Sequence, residues 1–230
     1  IAAAVPMQRA RALLAQHSDA KEELERGLTA IKQSLMLRPR DAGSLLLLSQ
    51  LLALSAQRLT QDGRSPEDAF RQAQDALQRA KKASPRDEDV YLALAELAAV
   101  KGDWQERSQL PAKRTLTAGD KAATRALSLH PSRAAAMAVR GKLQILTARS
   151  ETHRRPRGRL ADLGAQAIRQ ALALNPLLAR EYQPLLTEAE KYVAATGHRR
   201  SHHGGSAHQG SEPDVAPPQH ERRPHRPRNA

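Results

Sequence analysis

The stretch that decides the fold is "AKKASP", residues 80–85, together with three phrases built on the same plan: "SLMLRP" at 34–39, "ALSLHP" at 126–131 and "ALALNP" at 171–176. Their closing prolines, Pro39, Pro85, Pro131 and Pro176, stand 46, 46 and 45 residues apart. A fixed period in the range of about 20–50 residues is the signature of a repeat architecture. Proline cannot continue the helix before it, and it disfavours helical geometry in the preceding residue. Each phrase is therefore expected to end one helix and begin the turn into the next.

The flanking segments carry helical spacing. Before Pro85, Ala73, Ala76, Leu77 and Ala80 recur every three or four residues, which makes one face of a helix. After it, Asp87, Glu88 and Asp89 supply an acidic first turn suited to a helix N-terminus. Tyr91, Leu94, Ala95, Leu97 and Ala98 then form the next apolar face. "KGDW" at 101–104 is expected to close that helix, with Gly102 as the stop. Three polar, Gly- and Pro-containing stretches, at 60–68, 103–120 and 149–160, are expected to be long surface loops that account for the period.

Composition agrees with a helical reading. Hydrophobic residues make up 40% of the 230 residues and aromatics only 2%, so the apolar content is mostly Ala and Leu. These are strong helix formers, and few segments have the β-branched, aromatic character of strands. The longest apolar run, "SLLLLSQLLALSA" at 44–56, is too short for a membrane span of about 20 residues. The chain opens at Ile1 without a basic segment followed by an apolar one, so no complete signal peptide is read there. It is expected to be a fragment of a longer protein. Cysteine is absent, which excludes disulfides, thiolate metal sites and cysteine nucleophiles. That fits a reducing compartment, and the expected location is cytoplasmic.

These residues resemble a tetratricopeptide (TPR) array over about residues 20–195. The match is best at Tyr91, Leu94, Ala95, Ala98 and "KGDW" for a first helix, and at Ala73, Leu77, Ala80 and Pro85 for a second. Leu45 and Leu48, Gly141, and Tyr182 and Leu185 match in part, and Ala126 and Ala171 repeat the role of Ala80, as Ile31 and Ile168 repeat that of Leu77. The usual TPR unit is 34 residues, so the period here is about 12 longer, which is expected to reflect an insertion between the two helices of each unit. Arg140 stands where a core Leu is expected. Stretched arrays of this kind are similar to the C-terminal regions of bacterial, myxobacterial-type serine/threonine protein kinases, although no kinase motif occurs in this chain.

The resemblance implies an all-α fold, a TPR-like α-solenoid of about eight helices in antiparallel pairs, spanning 1–196. Residues 197–230 are rich in Gly, Ser, Pro, His and Arg and are expected to form a disordered tail. The resemblance also implies a scaffold that binds a partner protein or peptide on its concave face, lined by the first helix of each pair. Carried over by pattern, that lining is Leu46, Gln50, Leu92, Glu96, Ala138, Lys142, Gln183 and Thr187. The basic-and-Asn clamp by which some TPR domains hold acidic peptide C-termini is not visible at these positions.

Other functions find weaker support. The formal charge of +13 makes binding of nucleic acid or an acidic surface the alternative reading, but the aromatic platforms of single-strand binders are missing. The densest basic run, "RSETHRRPRGR" at 149–159, is read as a solvated loop in preference to a phosphate-contacting patch. His198, His202, His203 and His208 are read as polar tail residues in preference to metal ligands. Asp87, Glu88 and Asp89 are explained by the helix start. Trp104 and Tyr91 are read as packing residues. No catalytic motif is present, so no enzyme activity and no cofactor or metal is expected. The sequence does not determine oligomeric state.

Overall fold

The computed structural model describes residues 3–16 and 18–197. Of the expected tail, residues 198–230 with their histidines lie outside the described residues, and Gly197 ends the last helix. Among the described residues, nine α-helices and no strands occur. They are α1 (Ala4–Ala15), α2 (Lys21–Leu37), α3 (Ala42–Gln61), α4 (Glu67–Ala83), α5 (Glu88–Arg107), α6 (Lys113–Leu129), α7 (Ala134–Ser150), α8 (Arg154–Leu174) and α9 (Ala179–Gly197), with a 3₁₀ turn at Pro176–Leu178. No described helix is long and apolar enough to cross a membrane.

The proline phrases are turns of one geometry. The residues before the four prolines, Arg38, Ser84, His130 and Asn175, have φ of −135°, −137°, −143° and −144° and ψ of 78°, 78°, 89° and 94°. This is the extended conformation that a following proline imposes. Each of the four donates its backbone N–H to the residue four before it, closing the outgoing helix. The incoming helix is capped where the sequence allows. The Asp41 carboxylate accepts from the Ser44 N–H at 2.7 Å and the Asp87 carboxylate from the Asp89 N–H at 2.9 Å, the N-cap role for which Asp is preferred. The Tyr91 hydroxyl donates to the Pro85 carbonyl at 2.9 Å, tying one turn to the helix that follows it.

The long period has a different origin from the expected one. The stretches 103–120 and 149–160 are not loops. Helix α5 is 20 residues long and runs through Gly102 and Trp104 to Arg107, and α6 begins at Lys113. Helix α8 is 21 residues long and starts at Arg154. Short connections at 62–66, 108–112 and 151–153 remain between the helices. The extra residues therefore lengthen helices and are not inserted between them. The polar appearance of 113–120 belongs to the solvent face of α6, whose buried stripe is Leu116, Gly119, Ala123 and Ala126.

Gly102 is likewise a contact point within α5. A Cβ there would stand 2.4 Å from Leu116 Cδ2, so its lack of a side chain lets α5 and α6 close together. The helix stops at Gln109 instead, whose φ is +58°. The N–H of Leu110 reaches the Gln105 carbonyl and that of Gln109 the Glu106 carbonyl, a Schellman ending. The corresponding position after α3 is Gly63, at φ +69°.

Packing forms two layers. The odd-numbered helices lie side by side, α1 on α3, α3 on α5, α5 on α7 and α7 on α9. Each even-numbered helix packs on the odd-numbered helices on either side of it, and no two even-numbered helices pack on each other to a comparable extent. The core between the layers is mostly Ala and Leu, supplemented by Phe70 against Trp104, with ring centroids 5.6 Å apart. Both Tyr91 and Trp104 serve as packing residues.

Candidate binding groove

Four of the residues singled out by pattern meet in one place. Leu46 and Gln50 of α3 and Leu92 and Glu96 of α5 line a cavity of about 290 Å³, completed by Arg11 of α1, Asp89 and Ala93 of α5, and Arg133 at the start of α7. Leu46 and Leu92 are 46 residues apart, as are Gln50 and Glu96. The helical repeat therefore presents equivalent positions on adjacent odd-numbered helices to the same space.

The other four fare differently. Lys142 is partly buried on α7 and pairs with Glu181 of α9 at 3.9 Å. Gln183 and Thr187 are exposed on α9 and do not line the cavity. Ala138 corrects the sequence expectation. It is wholly buried in the core cluster that includes Tyr182 and Leu186, and it offers no surface to a partner. At the register of Leu46 and Leu92, a side chain that ends at Cβ stays beneath the helix layer.

The electrostatics centre on Glu96. Among the described residues, no hydrogen bond or ion pair reaches its carboxylate. Burial pushes its pKa above the ordinary carboxylate value. The charges of Arg11, Lys142 and Arg133 act in the opposite sense, and that of Glu181 adds to the rise. Helix α1, the start and body of α7, and α9 thus all place charge around one carboxylate on α5. Tyr182 is also pushed up, first by burial and then by Glu181 and Glu96.

Two of these cations, Lys142 and Arg133, are paired with other carboxylates. The Arg133 guanidinium donates to Glu88 at 3.1 Å and to Asp89. At the far end of the same helices, Arg149 of α7 joins three helices: it donates to Asp103 of α5 at 2.9 Å and to Glu188 of α9 at 3.0 and 2.8 Å. Those bonds hold Glu188 below its usual range. Glu106, beside Arg149, is raised by burial despite a hydrogen bond from Ser150.

The basic run 149–159 is divided by the fold. Arg149 belongs to the bridge just described. Arg157 donates to the Glu151 carbonyl at 2.7 Å and lies 5.8 Å from the Tyr192 ring centroid. Arg154, Arg155 and Arg159 stay exposed on the first turns of α8. Arg140, at the register of an expected core Leu, is partly exposed and reaches Asp120 at 3.4 Å. Asp87 caps α5, and Glu88 and Asp89 are the partners of Arg133, so each member of that acidic trio has a structural role. No cluster of metal-ligating side chains occurs among the described residues.

Sequence reasoning missed Arg11 and Arg133. Arg11 lies upstream of the proline-marked repeats. Arg133 had a usable signal: it occupies the register of the N-caps Asp41 and Asp87, and an Arg cannot accept the cap's hydrogen bond. Its side chain makes no cap bond and turns to the preceding odd-numbered helix instead. No protein-family model matches the chain, and comparison with curated proteins gives no match.

Proposed function

We propose that the chain is a TPR-like α-solenoid that binds a partner protein, through an extended segment or a helix, on the face formed by its odd-numbered helices. The observation that carries this reading is the cavity shared by Leu46, Gln50, Leu92 and Glu96, equivalent positions on successive repeats. A helix pair cannot bury its apolar face alone, so stacked pairs share a core and present one continuous surface. The close packing among odd-numbered helices, against the separation of the even-numbered ones, supports a curvature that makes that surface concave. Mixed apolar and charged lining suits a peptide, whose backbone and side chains need both.

The test uses capture of partners by the full chain. Gln50→Trp with Lys142→Glu fills and recharges the groove while sparing the wholly buried core. A second variant changes the exposed Arg154, Arg155 and Arg159 to Gln. Both are first checked for wild-type melting. Capture is expected to fail for the groove variant and persist for the arginine variant. The opposite result, accompanied by steep loss of binding with salt, assigns the function to a basic surface on α8 and refutes the groove.

A further inference from the structure

Glu96 stands apart from the other carboxylates on this layer. Glu88, Asp89, Asp103 and Glu188 each have an arginine partner within hydrogen-bonding reach. Glu96 has none among the described residues, yet it lines the cavity and is partly buried. Two of the cations whose charges reach it, Arg133 and Lys142, are engaged by Glu88, Asp89 and Glu181. The third, Arg11, sits exposed on α1. A partly buried charge without a partner is costly, and a ligand that brings the opposite charge recovers that cost on binding.

We propose that the cavity around Glu96 receives a lysine or arginine side chain from an extended segment of the partner protein, with Glu96 as its ion-pair partner. The idea rests on the groove reading above and adds the chemistry of the occupant. Leu46, Leu92 and Ala93 provide an apolar wall for the aliphatic stem of such a side chain, which Lys and Arg bury while presenting their charged end. The Gln50 amide, on the same wall, is able to accept from a guanidinium or ammonium and to donate to a peptide carbonyl. The elevated pKa of Glu96 agrees with a charge that the folded chain leaves uncompensated. Asp89, the other carboxylate on the wall, is already paired with Arg133, which leaves Glu96 to meet an incoming cation.

The probe is a displayed library of random peptides selected on the full chain, followed by titration of selected peptides against three variants. Enrichment of Lys or Arg at one position is expected. Affinity should fall about tenfold on Glu96→Gln, the equivalent of one well-formed ion pair at about 1.4 kcal/mol, and rise on Arg11→Gln, which removes a competing cation. Gln50→Trp should abolish binding. Glu96→Gln removes an uncompensated charge, so its melting temperature should not fall, and weaker binding cannot be assigned to unfolding. Peptides selected without a basic position, or bound equally by Glu96→Gln, overturn this inference while leaving the groove intact. Failure to select any peptide, or binding indifferent to Gln50→Trp, overturns both.

Discussion

Replacing Gly141 by alanine sets two opposing effects against each other, and the structure decides between them. In an isolated helix the change gains about 1 kcal/mol, because glycine is a poor helix former. Here the new Cβ would stand 2.7 Å from the Gly164 carbonyl oxygen, 2.7 Å from Ile168 Cγ1 and 3.2 Å from the Ile168 nitrogen. Two of those atoms are backbone of α8, so no side-chain rotation relieves the clash. Helices α7 and α8 must move apart, and a gap of about 0.5–1 Å forfeits a quarter to a half of each contact's attraction along the interface. Overpacking of this kind costs about 1–3 kcal/mol. A net loss of about 1 kcal/mol is expected, or a fall in Tm of roughly 2–4 °C for a domain of this size. Gly164→Ala meets the Gly141 carbonyl at 2.8 Å and should behave alike. The double variant should cost less than the two singles together, since one separation accommodates both methyls. Gly43→Ala is the control: its Cβ meets only Asp41 Oδ2 at 3.7 Å, and its Tm should hold or rise. Thermal melts followed by far-ultraviolet circular dichroism read all four. An unchanged or higher Tm for Gly141→Ala would refute the close approach of α7 and α8.

Arg149→Met should destabilise the fold by about 1–2 kcal/mol, because it strips Asp103 and Glu188 of a shared, partly buried guanidinium. Glu188 is held below the ordinary glutamate value of 4.5, chiefly by its hydrogen bond to Arg149. A depressed carboxyl contributes stability above its unfolded pKa and loses it as the pH falls through the folded one. The gap between wild type and Arg149→Met should therefore narrow in urea titrations as the pH drops below 4.5; a constant gap contradicts the assignment. Gln109→Gly should raise stability by about 0.5–1 kcal/mol, since the left-handed conformation at φ +58° is strained for a residue with a Cβ. A lower Tm for that variant would show that the Gln109 side chain contributes more than its backbone strain costs.

The helical class and the turns were legible because they rest on local chemistry. A proline constrains the residue before it wherever it occurs, and Arg38, Ser84, His130 and Asn175 duly share one conformation. Helix lengths were not legible for the opposite reason. Gly102 reads locally as a stop, and Gly119 and Gly158 fall in stretches that read as loops, yet these three and Gly164 each lie inside a helix where a Cβ would collide with another helix. Their meaning comes from Leu116, Leu143, Thr196 and Ile145, residues whose proximity only the folded chain establishes. Tertiary contact overrode propensity at these positions.

The cavity was legible in part, through register alone. A repeat of 46 residues fixes which positions share a face, and that sufficed to bring Leu46 together with Leu92 and Gln50 with Glu96. Register says nothing about side-chain length, however, and Ala138 at the same position is too short to emerge from the core. Nor does register report charge balance. Arg133 takes the place of a capping Asp, and it pairs with Glu88 and Asp89, so only its longer-range charge reaches Glu96. An Asp at 133 would cap α7 as Asp41 and Asp87 cap their own helices, and it would remove from the cavity wall a cation that now partly offsets Glu96. The departure of one repeat from its neighbours, more than their agreement, thus sets the electrostatic character of the surface they share.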